Sequence, residues 1–224
     1  MYFSMNRRNF GLASGLPMLL PLLTGITGLH PLAAHAANEP QAGKDYATLA
    51  KPVAPAVAGK VEVIEFFGYW CPHCNHLEPK LQAWIKTLPA TVAFRRIPVS
   101  WQAGHQPLQK LYFALEQMGV PEAVHAKVFA GIHADRKPAA TDADVIALGQ
   151  AAGADKDKLV AAMASFGVAN KIRQAQTVTP SYQIEGVPTL VVDGKYLTSP
   201  EMAKGEDQAL AVVSALIKQS RAAR

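Results

Sequence analysis

The chain has 224 residues, half of them hydrophobic, and carries 22 Lys and Arg against 17 Asp and Glu, a formal net charge of +5. That length suits one domain, or one domain with an insertion, and is enough for a full hydrophobic core. The mild charge without any Lys/Arg run argues against nucleic acid as a partner, and two cysteines are too few for a small disulfide-stapled scaffold.

Residues 1–36 differ from the rest. Their only charges are Arg7 and Arg8, followed by the apolar run FGLASGLPMLLPLLTGITGL and then Ala34-His35-Ala36. A basic start, an apolar middle and a small-x-small site predict a secretory signal peptide cut after Ala36. Pro17, Pro21 and several glycines interrupt the run, whereas a membrane anchor wants about 20 solid apolar residues. The Arg-Arg-Asn-Phe start is faintly twin-arginine-like. Cleavage removes both arginines, so 20 basic and 17 acidic residues remain, a net +3. An exported chain reaches a compartment where disulfides persist.

Residues 37–59, rich in Ala, Pro and Gly, predict a loose lead. Val61–Phe67 is an apolar, β-branched run and predicts a buried strand. Beyond Gly68, Leu77, Leu81, Trp84, Ile85 and Leu88 recur at helical spacing. Val92–Val99 is a second strand candidate. From Gln106 to Thr177 the pattern is helical: Leu108, Leu111, Tyr112 and Leu115 share a face, as do Val124, Val128 and Phe129. Thr141 is placed to cap a helix bearing Val145, Ile146 and Leu148. Gly153 and Gly167 are expected to punctuate helices near Leu159–Phe166 and Val168–Gln176. Strands return in Pro188–Val192 and Lys195–Leu197, joined by Asp193-Gly194, a strong hairpin signal. A last helix is expected over Asp207–Ser220, with Leu210, Val213 and Ile217 on one face.

Both cysteines lie in FFGYWCPHCNH, Phe66–His76, with only Pro72 and His73 between them. A clip across so small a loop adds little stability. Metal binding is the rival use, with His73 and His76 close by. Ligands packed into one short run cannot all converge, however, and no second Cys/His pair follows at zinc-site spacing. Redox chemistry fits best. Pro72 suits a first helical turn, so Cys71 falls at the helix N-terminus, where free N–H groups and the dipole favour a thiolate. Cys74 sits one turn in and is more shielded. His73 can donate a hydrogen bond or positive charge toward the sulfur. The pattern predicts an exposed, reactive Cys71 and a resolving Cys74. His76 reads as a surface residue, and His105, His125 and His133 have no spacing that suggests ligands.

The run Glu65-Phe66-Phe67-Gly68-Tyr69-Trp70-Cys71-Pro72-His73-Cys74 resembles the active-site segment of the DsbA family, bacterial periplasmic thiol:disulfide oxidases. Ile184-Glu185-Gly186-Val187-Pro188-Thr189-Leu190 resembles the segment whose cis-proline faces the cysteines, and Pro79 matches a helix-kinking proline. Trp70 and Gly68 stand at positions that vary in that family. The resemblance implies an α/β, thioredoxin-like fold whose two parts, 37–103 and 178–224, flank an inserted helical domain at 104–177. It implies an oxidase that passes its Cys71–Cys74 disulfide to newly exported proteins with free cysteines through a mixed disulfide. A DsbB-like membrane quinone reductase would reoxidise it. Catalysis is then expected of Cys71, Cys74, His73 and Pro72, substrate binding of Val187, Pro188 and Trp70, and redox tuning of Glu65. No cofactor or metal is expected, and the enzyme would be a periplasmic monomer. A disulfide isomerase or reductase of the same superfamily is the alternative, although the lead before Val61 is short for the dimerisation domain of the isomerases. A non-catalytic binding module and a metal carrier are weaker alternatives.

Overall fold

The strand expected at Val61–Phe67 forms as such, and all seven of its side chains are buried. The computed structural model describes residues 39–120 and 122–223; the expected signal peptide lies outside them. In chain order the elements are β1 (Ala47–Thr48), β2 (Val61–Phe67), α1 (Pro72–Ile85), β3 (Val92–Pro98), α2 (Gln106–Gln117) and α3 (Glu122–His133). They continue with α4 (Asp142–Ala152), α5 (Lys156–Met163), α6 (Phe166–Ser181), β4 (Thr189–Val192), β5 (Tyr196–Thr198) and α7 (Glu206–Ala222).

The sheet runs β1-β5-β4-β2-β3. β2 pairs in parallel with β3 and antiparallel with β4, so it is covered on both edges. Side-chain alternation along a strand sends neighbours to opposite faces. Accordingly Val61 and Val63 join Leu77, Leu81, Val213 and Leu216 of α1 and α7 in one core. Ile64 and Phe66 join Leu111, Phe129, Leu148 and Tyr182 in the other, built with the helical block. This is an α/β, thioredoxin-like arrangement carrying extra helices. Among the described residues, no helix is long and apolar enough to cross a membrane.

Local signals explain the boundaries. Thr141 forms a capping box with Asp144, each side chain bonding the other's backbone N–H. Gly153 ends α4 at φ 111°, where a side chain would be strained. Asp193 and Gly194 both have positive φ, 53° and 63°, the geometry of a tight hairpin turn.

Three expectations need correction. The lead is not loose: β1 pairs with β5, and the N–H groups of Leu49 and Val53 donate to the carbonyls of Lys195 and Gly194 at 2.7 and 2.8 Å. A two-residue strand is too short to show a period. Gly167 does not punctuate; it lies inside α6, which starts behind the Ser165 cap. The hydroxyl there accepts the Val168 N–H at 3.2 Å, a stronger stop than a lone glycine. Leu88 lies beyond the end of α1.

Candidate active site around the cysteine pair

β2 ends at Phe67, and a turn closed by Cys71 N–H donating to the Gly68 carbonyl at 3.0 Å leads into α1. A Cβ at Gly68 would stand 2.4 Å from the Trp70 indole nitrogen, so a larger residue here would have to displace that ring. Cys71 is the N-cap of α1, with extended backbone (φ −87°, ψ 118°) and a proline in the first turn. Its thiol is held down at about 6: the Cys74 side chain hydrogen-bonds to it, outweighing the effect of burial, and the N–H groups of Cys74 and His73 and the charge of His73 add to the lowering. Cys74 is fully buried. Burial pushes its thiol well up, and the neighbouring Cys71 and the Glu65 carboxylate push it further. Both cysteines are free thiols in this structure. The pair is thereby split into one sulfur that ionises readily and one that holds its proton.

Cys71 is not exposed, contrary to expectation; only 4% of its surface meets solvent. The covering element is the loop before β4. The Val187–Pro188 bond is cis, and the Val187 carbonyl accepts the Cys71 S–H at 3.3 Å. Pro72 and His73 are exposed beside it. Next to the pair opens a groove of about 680 Å³ whose lining includes His73, Ile184, Val187, Pro188, Leu197 and Met202. Glu185, Glu201 and Glu206 also line it, and only Glu206 has a cation, Lys80, at 3.1 Å among the described residues. The backbone N–H groups of Glu185, Gly186 and Val187 have no hydrogen-bond partner among the described residues.

The two aromatic residues ahead of Cys71 part company. Trp70 is half-buried and stacks on His105, with ring centroids 4.1 Å apart and planes 11° off parallel. Trp101, nearly half exposed, packs beside Trp70 at 5.6 Å. Tyr69 is buried. Its hydroxyl hydrogen-bonds to His125 Nδ1 at 2.7 Å, and its carbonyl accepts from His133 Nε2 at 2.8 Å. So the three histidines without ligand spacing all touch the turn that delivers Cys71. His105 lies just ahead of α2 and His125 and His133 on α3, and only tertiary packing brings them there. His76 is exposed. Among the described residues no group of three or more His, Cys, Asp or Glu could hold a metal ion.

Glu65 lies below the pair, within a buried charge network the sequence did not reveal. Arg96 Nε bonds Glu65 Oε2 at 2.8 Å, Nη1 bonds Glu122 at 2.9 Å, and Nη2 lies 3.3 Å from Glu78. Gln82 bridges Glu78 and Glu122 at 2.7 and 2.8 Å. One guanidinium thus serves three carboxylates. Burial raises Glu65 to about 7; Arg96 opposes the rise, and Glu78 adds to it. Glu78 is also buried, yet it is lowered because His125, Arg96 and Gln82 favour its charged form. Among the described residues Glu65 Oε1 has no hydrogen-bond partner.

Comparison with known proteins agrees with this geometry. The DSBA-like thioredoxin domain family matches residues 62–216. The thiol:disulfide interchange protein DsbA of Pseudomonas aeruginosa PAO1 is 35% identical over 206 residues, covering 92% of this chain and 97% of that protein. The DsbA of Bordetella parapertussis is 38% identical over 190 residues, with 83% and 88% covered. The crystal structure of Pseudomonas aeruginosa DsbA superposes with a TM-score of 0.80 at 37% identity, covering 84% of this chain and 97% of that one.

Proposed function

The chain belongs to the DsbA family of thioredoxin-like thiol:disulfide oxidoreductases, and on that footing we propose that it works as an oxidase of newly exported proteins. The observation that carries the proposal is the unequal pair: Cys71 at a helix N-terminus with its thiol drawn down to about 6, and Cys74 buried with its thiol pushed up.

In the proposed cycle a substrate thiolate attacks Cys71 Sγ of the Cys71–Cys74 disulfide. The S–S bond breaks, a mixed disulfide forms, and Cys74 leaves and takes up a proton. A second substrate thiolate then attacks the substrate sulfur of the mixed disulfide and expels Cys71 as a thiolate. Two substrate thiols become a disulfide, and the enzyme takes the two electrons. A leaving thiol of low pKa departs faster, so the helix N-terminus and His73 drive this step. The same stabilisation favours the reduced enzyme and makes its disulfide a strong oxidant.

Pro72 starts the helix that aims its N–H groups at Cys71. The backbone N–H groups of Glu185, Gly186 and Val187, without a partner among the described residues, would add an extended substrate segment as a strand. Trp70, outside the groove lining and packed on His105 and Trp101, is read as a further substrate contact. Glu65, raised toward neutrality and acting on the Cys74 thiol through its charge, would exchange a proton as Cys74 changes state. The helices between β3 and β4 are read as the domain inserted at 104–177, and 37–103 with 178–224 as the two parts of the thioredoxin-like domain. The setting is the periplasm, reached through cleavage after Ala36, and a DsbB-like membrane partner restores the disulfide.

Equilibrating the mature protein with glutathione buffers tests the proposal. A potential well above the roughly −270 mV of thioredoxin supports an oxidase; one near that value would move the assignment to the reductases.

A further inference from the structure

Tyr69 precedes Cys71 by two residues and is held at both ends by α3. Its hydroxyl, buried with the ring, meets His125 Nδ1 at 2.7 Å. Its carbonyl belongs to no strand or helix and accepts from His133 Nε2 at 2.8 Å. With Tyr69 donating to Nδ1, the His125 proton sits on Nε2, which faces Glu78 Oε2 at 3.5 Å. Glu78 is part of α1, one turn beyond Cys74. The imidazole therefore lies between Tyr69, two residues before the N-cap, to which it is hydrogen-bonded, and Glu78 inside the helix, 3.5 Å away, and Cys71 lies between these two points of the chain. The ring of Tyr69 is fixed independently, edge-on to Phe67 at 5.3 Å and Phe129 at 5.0 Å.

We propose that His125 and His133 are positioning residues for the reaction, clamping the Gly68–Cys71 turn through Tyr69 so that the Cys71 sulfur stays in line with the N–H groups at the start of α1. The geometry makes this more than packing. The thiolate depends on the His73 and Cys74 N–H groups pointing at Sγ, and among the described residues one backbone hydrogen bond closes the Gly68–Cys71 turn on itself, Cys71 N–H to the Gly68 carbonyl, while the Cys71 carbonyl accepts from Asn75 of α1. Anchors on a separate helix supply the rest. Because α3 lies outside the β2–turn–α1 unit, the alignment of the nucleophile is set by the helical block. The inference rests on Cys71 being the attacking group of the proposed oxidase.

The test compares Tyr69→Phe, His133→Ala and His133→Gln with the unaltered protein. Three readouts are needed: Cys71 alkylation rate against pH, the equilibrium constant with glutathione, and melting temperature. Tyr69→Phe removes one hydroxyl and keeps the ring, so it carries the test where His133→Ala fails to fold. Expected are a rise of about half a pH unit or more in the Cys71 titration, which is a roughly three-fold loss of thiolate at pH 5, and a matching fall in oxidising power. His133→Gln, whose amide can still donate to the Tyr69 carbonyl, should recover most of the loss. A lower melting temperature with unchanged titration and equilibrium constant would overturn the proposal and leave the histidines as packing alone. An ordinary thiol titration in the unaltered protein would instead overturn the oxidase reading, and this inference with it.

Discussion

Cys71 Sγ and the carbonyl oxygen of Val187 stand 3.3 Å apart although 116 residues separate them in the chain. Cys71 is therefore framed by two elements: a helix N-terminus that offers it N–H groups, and a loop that covers it and whose Glu185, Gly186 and Val187 N–H groups have no partner among the described residues. In the proposed oxidase, ionisation and substrate docking meet at one sulfur.

The first expectation concerns its titration. Cys71 should alkylate with a midpoint near pH 6, and Cys74 should stay unreactive across the neutral range. The folded value lies below the unfolded value of about 8.5, so the thiolate contributes stability to the reduced form that is fully present above that unfolded value and is lost as pH falls through 6. Melting curves of reduced and oxidised protein should thus converge in acid. A Cys71 midpoint near 8.5 would contradict the assignment.

Glu65→Gln should stabilise the protein above neutrality. The folded value of Glu65 is raised from 4.5 to about 7, so its contribution is present below pH 4.5 and is lost as pH rises through 7. Arg96 keeps Glu78 and Glu122 in the variant. The expected gain at pH 8 is on the order of 1–3 kcal/mol, with little change at pH 4. Denaturant midpoints at the two pH values check it; an equal shift at both would refute the linkage.

Arg96→Met should be among the most damaging changes outside the cysteines. Arg96 is 5% exposed and leaves three carboxylates without a cation when removed. Breaking a buried pair from one side costs about 3–5 kcal/mol. Protonation of Glu65 in mild acid should return part of that stability, and adding Glu65→Gln to Arg96→Met should return part of it at pH 8. If the double variant is no better than the single one, the network is not acting as a unit.

The groove carries two carboxylates, Glu185 and Glu201, that have no cationic partner among the described residues. Cysteine peptides flanked by lysine should be oxidised faster than peptides flanked by glutamate, by roughly 3- to 10-fold at low salt. The preference should fade as ionic strength rises. A Glu185→Gln/Glu201→Gln variant should lose the preference while oxidising uncharged peptides at the same rate. Persistence of the preference in the variant would assign it to the peptides' own thiols.

Much of this was legible in the sequence, for local reasons. Val61–Phe67, the Asp193-Gly194 turn and the Thr141 cap are set by neighbours within a few residues, and Pro72 beside Cys71 marks a helix start without tertiary help. What stayed hidden depends on long-range packing. Glu65 was visible as an acid in an apolar strand, but its partner Arg96 lies on β3, with Glu122 on α3. The burial of Cys71 comes from a loop 116 residues away. His105, His125 and His133 look unrelated in spacing because they converge on Tyr69 and Trp70 rather than on a metal.

The pairing of β2 with β4 has a consequence for the order of assembly. A polypeptide emerging from its N-terminus delivers Cys71 and Cys74 long before the segment that shelters them. Until β4 zips onto β2, the nascent chain presents a bare dithiol to every oxidant it meets. Completion of the sheet and maturation of the reactive centre are then a single event, and a truncation before residue 187 should leave a promiscuous thiol in place of a selective one.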